Sequence, residues 1–263
     1  MLEVRLDHSR RFGGIRRLYG QSALENYSAA HVCVIGIGGV GSWAVEALAR
    51  SGIGAITLVD LDHIAESNIN RQLHALDATL GMAKVEAMAE RVSEINPDCR
   101  VSIIESYIEA DNLELITDGG FDYVIDCIDS FRVKAALIVA CRRRRVRVIT
   151  IGGAGGQTDP TRICLADLSR TRQDPLLAKT RKLLRREYGY PAAESKRRFH
   201  VPSVYSTENL TYPDETGGVC NTKSGRGGGS LNCGGYGSAM TVTATFGLVA
   251  VSHVLKVLAA RKS

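Results

Sequence analysis

Residues 31–54 read HVCVIGIGGVGSWAVEALARSGIG. An apolar run at 32–35 enters a turn with glycine at 36, 38, 39 and 41, and residues 42–50 leave it with helical spacing, closed by Gly52. No other stretch limits the fold as tightly. Strand, glycine turn and helix in that order open an α/β unit and aim backbone N–H groups and a helix N-terminus at an anion. The first glycine permits the tight turn, the second lets backbone approach phosphate, and the last lets helix pack on strand. Asp60 ends the next apolar run, 55–59, where an acid can meet a ribose hydroxyl. Taken alone, the pattern suits NAD as well as ATP, or a glycine-rich connection that binds nothing.

The alternation continues. Residues 82–95 read as a helix stopped before Pro97, 100–105 as a strand, 113–117 as a short helix, 123–127 as a strand, 131–142 as a helix and 146–151 as a strand. This predicts a Rossmann-like α/β fold, a mostly parallel sheet with helices on both faces. The GGAGG run at 152–156 is the expected seam. Residues 1–155 then form an N-terminal arm plus the nucleotide-binding region, and 156–263 a substrate-binding and dimerisation extension of the same compact domain. In the extension, Asp174-Pro175 reads as an N-cap and first helical position, and Gly189 as the stop. Residues 216–238 are Gly-rich and read as a long mobile loop. The run 239–260 is apolar, but Thr241, Thr243, Ser252, His253 and Lys256 favour a buried helix over a membrane span.

Charge is unevenly spread. The chain of 263 residues carries +5, yet residues 142–198 hold 16 Lys and Arg against 5 Asp and Glu. A polyanionic partner fits this, as do ordinary solvated helix faces. Seven cysteines form no CxxC pair, and the start MLEVRLDHSRRFGG has no apolar signal core. Both point to reduced thiols and a cytoplasmic protein.

The stretch DLDHIAESNINRQLHALDATLGMAKVEAM places Asp62, Asn68, Arg71, Gln72 and Lys84 shortly after Asp60. A dinucleotide has no need of these cations. A triphosphate does, because charge develops on its oxygens as pyrophosphate leaves. Arg71 can clamp with its fork of donors and Lys84 can act as a point charge. DCIDS at 126–130 ends a central strand with two acids, where a carboxylate can hold Mg²⁺. Either cation alone also reads as a surface residue.

Together GIGGVGS, DLDHIAESNINRQ, the Gly81-x-x-Lys84 spacing and DCIDS resemble the ubiquitin-activating-like adenylating superfamily, whose members bind ATP and Mg²⁺ and adenylate a carboxylate. The resemblance implies Gly36, Gly38, Gly39 and Gly41 at the phosphates and Asp60 on the ribose. It implies Asp62, Asn68, Arg71, Gln72 and Lys84 around the nucleotide, and Asp129 on the metal. Two departures stand out. The sulfur-carrier branch holds zinc with two CxxC pairs, which this chain lacks, so no zinc is expected. That branch also sends an N-terminal arginine into its neighbour's ATP site. Here that position is Gly14, and Arg11, Arg16 or Arg17 can substitute, with Arg17 preferred.

A narrower likeness covers nearly the whole chain. RFGGIRRLYG, SNINRQLHAL, GGAGGQTDPT, QDPLLAK and MTVTATFGLVAVSHVLK resemble the tRNA threonylcarbamoyladenosine dehydratase branch. This implies a homodimer that closes the threonyl carboxylate of a modified adenosine, beside the tRNA anticodon, onto its carbamoyl oxygen. Backbone carbonyls of Gly-rich turns can also build a monovalent-cation site, and a sulfur-relay protein remains an open partner. Cys233, near Lys223 and Arg226, is the candidate reactive thiol, although the chemistry requires none. Tyr205 or Tyr212 can stack on a base, although single tyrosines are more often core or surface anchors. Three other readings stay open: adenylation of a carrier protein's C-terminus, an NAD-dependent oxidoreductase, and a nucleotide-holding scaffold without turnover.

Overall fold

The computed structural model describes residues 7–214, 216–221 and 236–261. Two helices precede the first strand, α1 (His8–Tyr19) and α2 (Gln21–Ala29). Strand and helix then alternate: β1 (His31–Ile35), α3 (Gly41–Arg50), β2 (Ala55–Val59), α4 (Lys84–Ile95), β3 (Arg100–Ile104), α5 (Glu114–Thr117), β4 (Tyr123–Asp126), α6 (Phe131–Arg143) and β5 (Val148–Ile151). Beyond the glycine seam come β6 (Ile163–Asp167), α7 (Pro175–Tyr188) and β7 (Pro202–Ser206). A small hairpin, β8 (Tyr212–Pro213) with β9 (Val219–Cys220), and the long α8 (Met240–Ala259) follow. Cys233 lies outside the described residues.

Seven strands form one sheet in the order β3-β2-β1-β4-β5-β7-β6. All neighbours are parallel except β6, which runs antiparallel to β7. Side chains alternate across it. Val32 and Val34 of β1 pack into the core shared with α2, α3, α4 and α8, while Cys33 and Ile35 pack against Leu137 and Cys141 of α6. A parallel sheet covered on both faces needs such near-continuous apolar strands. Strand order reverses at β1, which has β2 on one side and β4 on the other. A crevice therefore opens at the carboxyl ends of these strands.

The C-terminal apolar run is part of this core. By length and composition α8 could cross a membrane. It instead packs on α3 and α2, burying Val242, Phe246, Ala250, Val254 and Leu258. The α2 helix ties it down: the buried Tyr27 hydroxyl donates to the Leu255 carbonyl (3.0 Å), and Asn26 Nδ2 donates to the carbonyls of Leu258 (3.3 Å) and Arg261 (3.1 Å).

The sheet runs straight through the seam, since β7 pairs with β5. Asp174 closes the junction. Its Oδ1 accepts the Leu177 N–H (2.8 Å) as the N-cap of α7, and its Oδ2 accepts the Gly153 N–H (2.9 Å). Burial pushes this carboxyl up, with the two N–H donors acting the other way. A Cβ at Gly152 would overlap the Asp174 carboxylate, so only glycine fits there.

Tyr27→Phe removes the hydroxyl that ties α2 to α8 while keeping the ring. The expected loss is about 1 kcal/mol. Urea denaturation should show a lower midpoint with an unchanged slope.

Candidate active site

A cleft of about 620 Å³ opens at the carboxyl ends of β1, β2, β4 and β5. Gly36, Gly38, Gly39, Gly41, Asp60, Asp62, Asn68, Arg71, Gln72, Lys84 and Asp129 all line it. The fold thus gathers residues spread over nearly a hundred positions into one cavity. Arg17 is exposed on α1 and is not among the lining residues. Of its alternatives, Arg11 is engaged within its own chain, donating to the Ile95 carbonyl (2.6 Å) at the end of α4.

The glycine turn is held from several sides. Gly36 has φ +86°, and a Cβ on Gly41 would overlap the Gly36 carbonyl oxygen. The Ile37 N–H donates to Asp60 Oδ2 (2.6 Å), and the Ile37 carbonyl lies 2.8 Å from His74 Nε2. The Ser42 hydroxyl donates to the Gly38 carbonyl (2.7 Å). Asp60 Oδ1 accepts the Asp62 N–H (2.9 Å). Each carboxylate oxygen can accept a second donor, so this bracing leaves capacity for a ligand hydroxyl.

A 3-10 turn at Glu66–Asn68 presents the next group. Asn68 Oδ1 accepts the Ala65 N–H (3.0 Å), and the Asn68 carbonyl accepts from Arg71 and Gln72. The Arg71 stem lies beside Gly39, where a Cβ would crowd it, and its Nη1 donates to the Ser67 carbonyl (2.8 Å) and Asn70 Oδ1 (3.1 Å). Trp43 Nε1 donates to the Arg71 carbonyl (3.0 Å) and fixes that backbone. Gln72 is buried, and its Oε1 has no hydrogen-bond partner among the described residues. A buried orphan acceptor on the cleft wall calls for a ligand donor.

Lys84 starts α4, nearly buried, with Nζ 2.6 Å from Asp62 Oδ2. Asp62 Oδ1 accepts the Tyr107 hydroxyl. Burial raises the Asp62 pKa, but the Lys84 ammonium and the Tyr107 hydroxyl outweigh it and hold the carboxyl below its usual range.

The two acids of DCIDS part company. Asp126 is wholly buried, with Lys134 Nζ (2.8 Å) and the Thr150 hydroxyl (2.7 Å) on Oδ2, while Oδ1 accepts the Ile128 N–H (3.1 Å). It shapes the turn that carries Asp129 into the cleft. Between them, burial and then the Asp126 carboxylate push the Cys127 thiol well up, so it stays protonated.

Sequence reasoning missed Tyr107, His74 and the whole opposite wall, which Gly152, Gly155, Pro175, Leu176, Leu210 and Tyr236 build. Tyr236 pairs with Tyr212, ring centroids 5.2 Å apart. The GGAGG run was the signal available. Of the two candidate base-stackers, Tyr205 takes the core-anchor alternative: it lies buried in β7 among residues of α6 and α7 and is closed to a base.

Burial lowers the His74 pKa, with the Ile37 carbonyl acting the other way. A group with a depressed native pKa contributes full stability above its unfolded value, about 6.5, and loses it as pH falls. Burial lowers His31 and His253 too. His74→Gln should therefore flatten, without abolishing, the decline in unfolding free energy between about pH 7 and pH 5. Urea titrations across that range test this; a wild-type slope in the variant contradicts it.

The ThiF family model matches residues 9–263. The chain is 53% identical over 253 residues to the tRNA threonylcarbamoyladenosine dehydratase of Escherichia coli (strain K12), covering 95% of this chain and 94% of that one. It is 52% identical over 262 residues to the enzyme of that name from Haemophilus influenzae, covering 99% and 98%. The molybdopterin-synthase adenylyltransferase of Escherichia coli (strain K12) is 33% identical over 132 residues, half of each chain. The crystal structure of the E. coli tRNA N6-threonylcarbamoyladenosine dehydratase in complex with ATP matches with a TM-score of 0.84 and 50% identity over 96% of this chain and 95% of that one. Likeness of that extent, carried from the glycine turn to the last helix, makes this chain a member of the ThiF family, in its tRNA threonylcarbamoyladenosine dehydratase branch.

Proposed function

We propose that this protein is an ATP-dependent adenylating enzyme that dehydrates threonylcarbamoyladenosine in tRNA to its cyclic form. The observation that carries this is the cleft itself: a glycine cradle ringed by Arg71, Lys84 and Asp129, in a chain alike end to end to dehydratases. The carrier-protein reading rests on a likeness over half the chain.

A carboxylate does not react directly with a weak nucleophile, because oxide would have to leave. Attack of the threonyl carboxylate oxygen on the α-phosphate of ATP forms a mixed anhydride and expels pyrophosphate. The carbamoyl oxygen of the same nucleoside then attacks the activated carbonyl carbon, the ring closes, and AMP leaves with the former carboxylate oxygen. The second step is intramolecular, so proximity lowers much of its barrier. The protein's part is electrostatic. Backbone N–H groups of 38–41 and the N-terminus of α3 face the phosphates, Arg71 and Lys84 offset charge growing on the pyrophosphate, and Asp60 and Gln72 orient the ribose side. Asp129, a hard oxygen donor on the cleft wall, would hold Mg²⁺, and the ion would supply positive charge to offset that of the phosphates. No protein nucleophile is needed, consistent with the protonated Cys127.

Nucleotide on the β2 side of the cleft leaves the β5 side, with Gly152–Gly155, Pro175, Leu176, Leu210 and Tyr236, to the modified nucleoside. Residues 1–155 then bind ATP and lend Gly152–Gly155 to the substrate side, and 156–263 bind substrate and support dimerisation within one domain. In the homodimer Arg17, beside Leu18, which is 74% exposed, reaches the neighbouring cleft. A monovalent cation on glycine-turn carbonyls, a sulfur-relay partner and a cytoplasmic location complete the proposal.

Incubation with ATP, Mg²⁺ and threonylcarbamoylated tRNA should remove one water from the modified nucleoside, seen by mass spectrometry after digestion. Lys84→Ala and Asp129→Ala should each lower turnover by about 10²-fold or more with unchanged circular dichroism. Wild-type turnover in both variants contradicts the site.

A further inference from the structure

A second groove, of about 490 Å³, lies between α6 and α7. Its walls carry Phe131, Arg132, Lys179, Lys182 and Arg186, and Glu187 is the one acid among them. Arg186 contacts Glu187. Among the described residues, no carboxylate lies within ion-pair distance of Arg132, Lys179 or Lys182. Two of these cations are held over one ring: Arg132 Cζ stands 5.1 Å and Lys179 Nζ 5.8 Å from the Phe131 centroid.

The groove starts where the cleft ends. Asp129 lines the cleft and Phe131, two residues on, lines the groove. Pro175 and Leu176 line the cleft, and Lys179 follows one helical turn later. From Lys179 through Lys182 to Arg186 the helix rises about 10 Å. That gives charges spaced a few Å apart on a line leading away from the reacting site, a pattern that suits the regularly spaced phosphates of one nucleic-acid strand. A small anion needs no such row. The Phe131 ring beneath Arg132 and Lys179 holds the two charges together at the start of that line.

We propose that the α6–α7 groove is the track for the RNA backbone next to the modified nucleotide, with Arg132, Lys179 and Lys182 on successive phosphates and Phe131 beneath the first two cations. This rests on the RNA substrate assigned above. A nucleotide seated in the cleft remains covalently joined to its neighbours, so its chain must leave by an open side, and this side is basic.

The test is tRNA binding against KCl concentration for wild type and for the triple variant Arg132→Ala, Lys179→Ala, Lys182→Ala. Loss of three single-strand phosphate contacts should flatten the slope of log K against log salt by about 2. The KM for modified tRNA should rise, while the affinity for ATP measured by calorimetry stays at the wild-type value. Arg100→Ala, at the opposite end of the sheet, should leave the slope unchanged. If the triple variant misfolds, Lys179→Glu alone should still flatten the slope and raise the KM. An unaltered slope in a variant that binds ATP overturns the groove assignment alone, and would leave the groove to an acidic protein partner. Wild-type protein that neither binds nor dehydrates modified tRNA overturns the substrate reading and the groove with it.

Discussion

The peptide of Ile37 is the fixed point of this structure. Its N–H is taken by Asp60 and its carbonyl by His74, so the residue between the first two glycines of the turn is clamped from both sides. The Gly36–Gly41 approach, too tight for any Cβ, presses α3 onto the turn from below. With its backbone N–H groups pre-aimed, the loop loses little freedom when an anion arrives. Everything else in the cleft is positioned relative to that loop: Asp60 ends the neighbouring strand, His74 and Arg71 follow one short 3-10 turn, and Trp43 of α3 holds the Arg71 carbonyl.

Two lysine–aspartate pairs at the cleft differ in a way that matches their roles. Lys134 and Asp126 are both fully buried and further bonded to Thr150, and removing one partner of such a pair typically costs about 3–5 kcal/mol. That pair is a fixed part of the floor. Lys84 is nearly buried, but its partner Asp62 is 46% exposed, so water can solvate that carboxylate when the ammonium turns to another anion. In the proposed reaction the Lys84 ammonium can therefore turn from Asp62 to a triphosphate without leaving a buried carboxylate unpaired, with the tyrosine hydroxyl still on Asp62.

Much of the first half could be read directly. The elements at 55–59 and 131–142 stand within a residue of their observed bounds, because apolar runs bounded by glycine or proline leave little choice. The α1 and α2 helices gave no such signal: their buried faces are formed by scattered residues such as Phe12 and Tyr27, set by packing on α3 and α8. Nor could the insertion of β7 between β5 and β6 be inferred, since pairing across some fifty residues leaves no local mark. In the site, motif residues sat together as their spacing suggested, while Tyr107 and Tyr236 came from distant loops whose sequences look like any surface turn. The basic segment was visible as composition, but only the packing of α6 on α7 separates Lys179 and Lys182 in a groove from Arg142, which donates to the His200 carbonyl.

The central claim is that the substrate carboxylate attacks the α-phosphate. Threonylcarbamoylated tRNA labelled with ¹⁸O in the threonyl carboxylate, turned over to completion, decides it by mass spectrometry of the small products. The account predicts one ¹⁸O in AMP and none in pyrophosphate. Label in inorganic phosphate, with ADP as the other product, would contradict it.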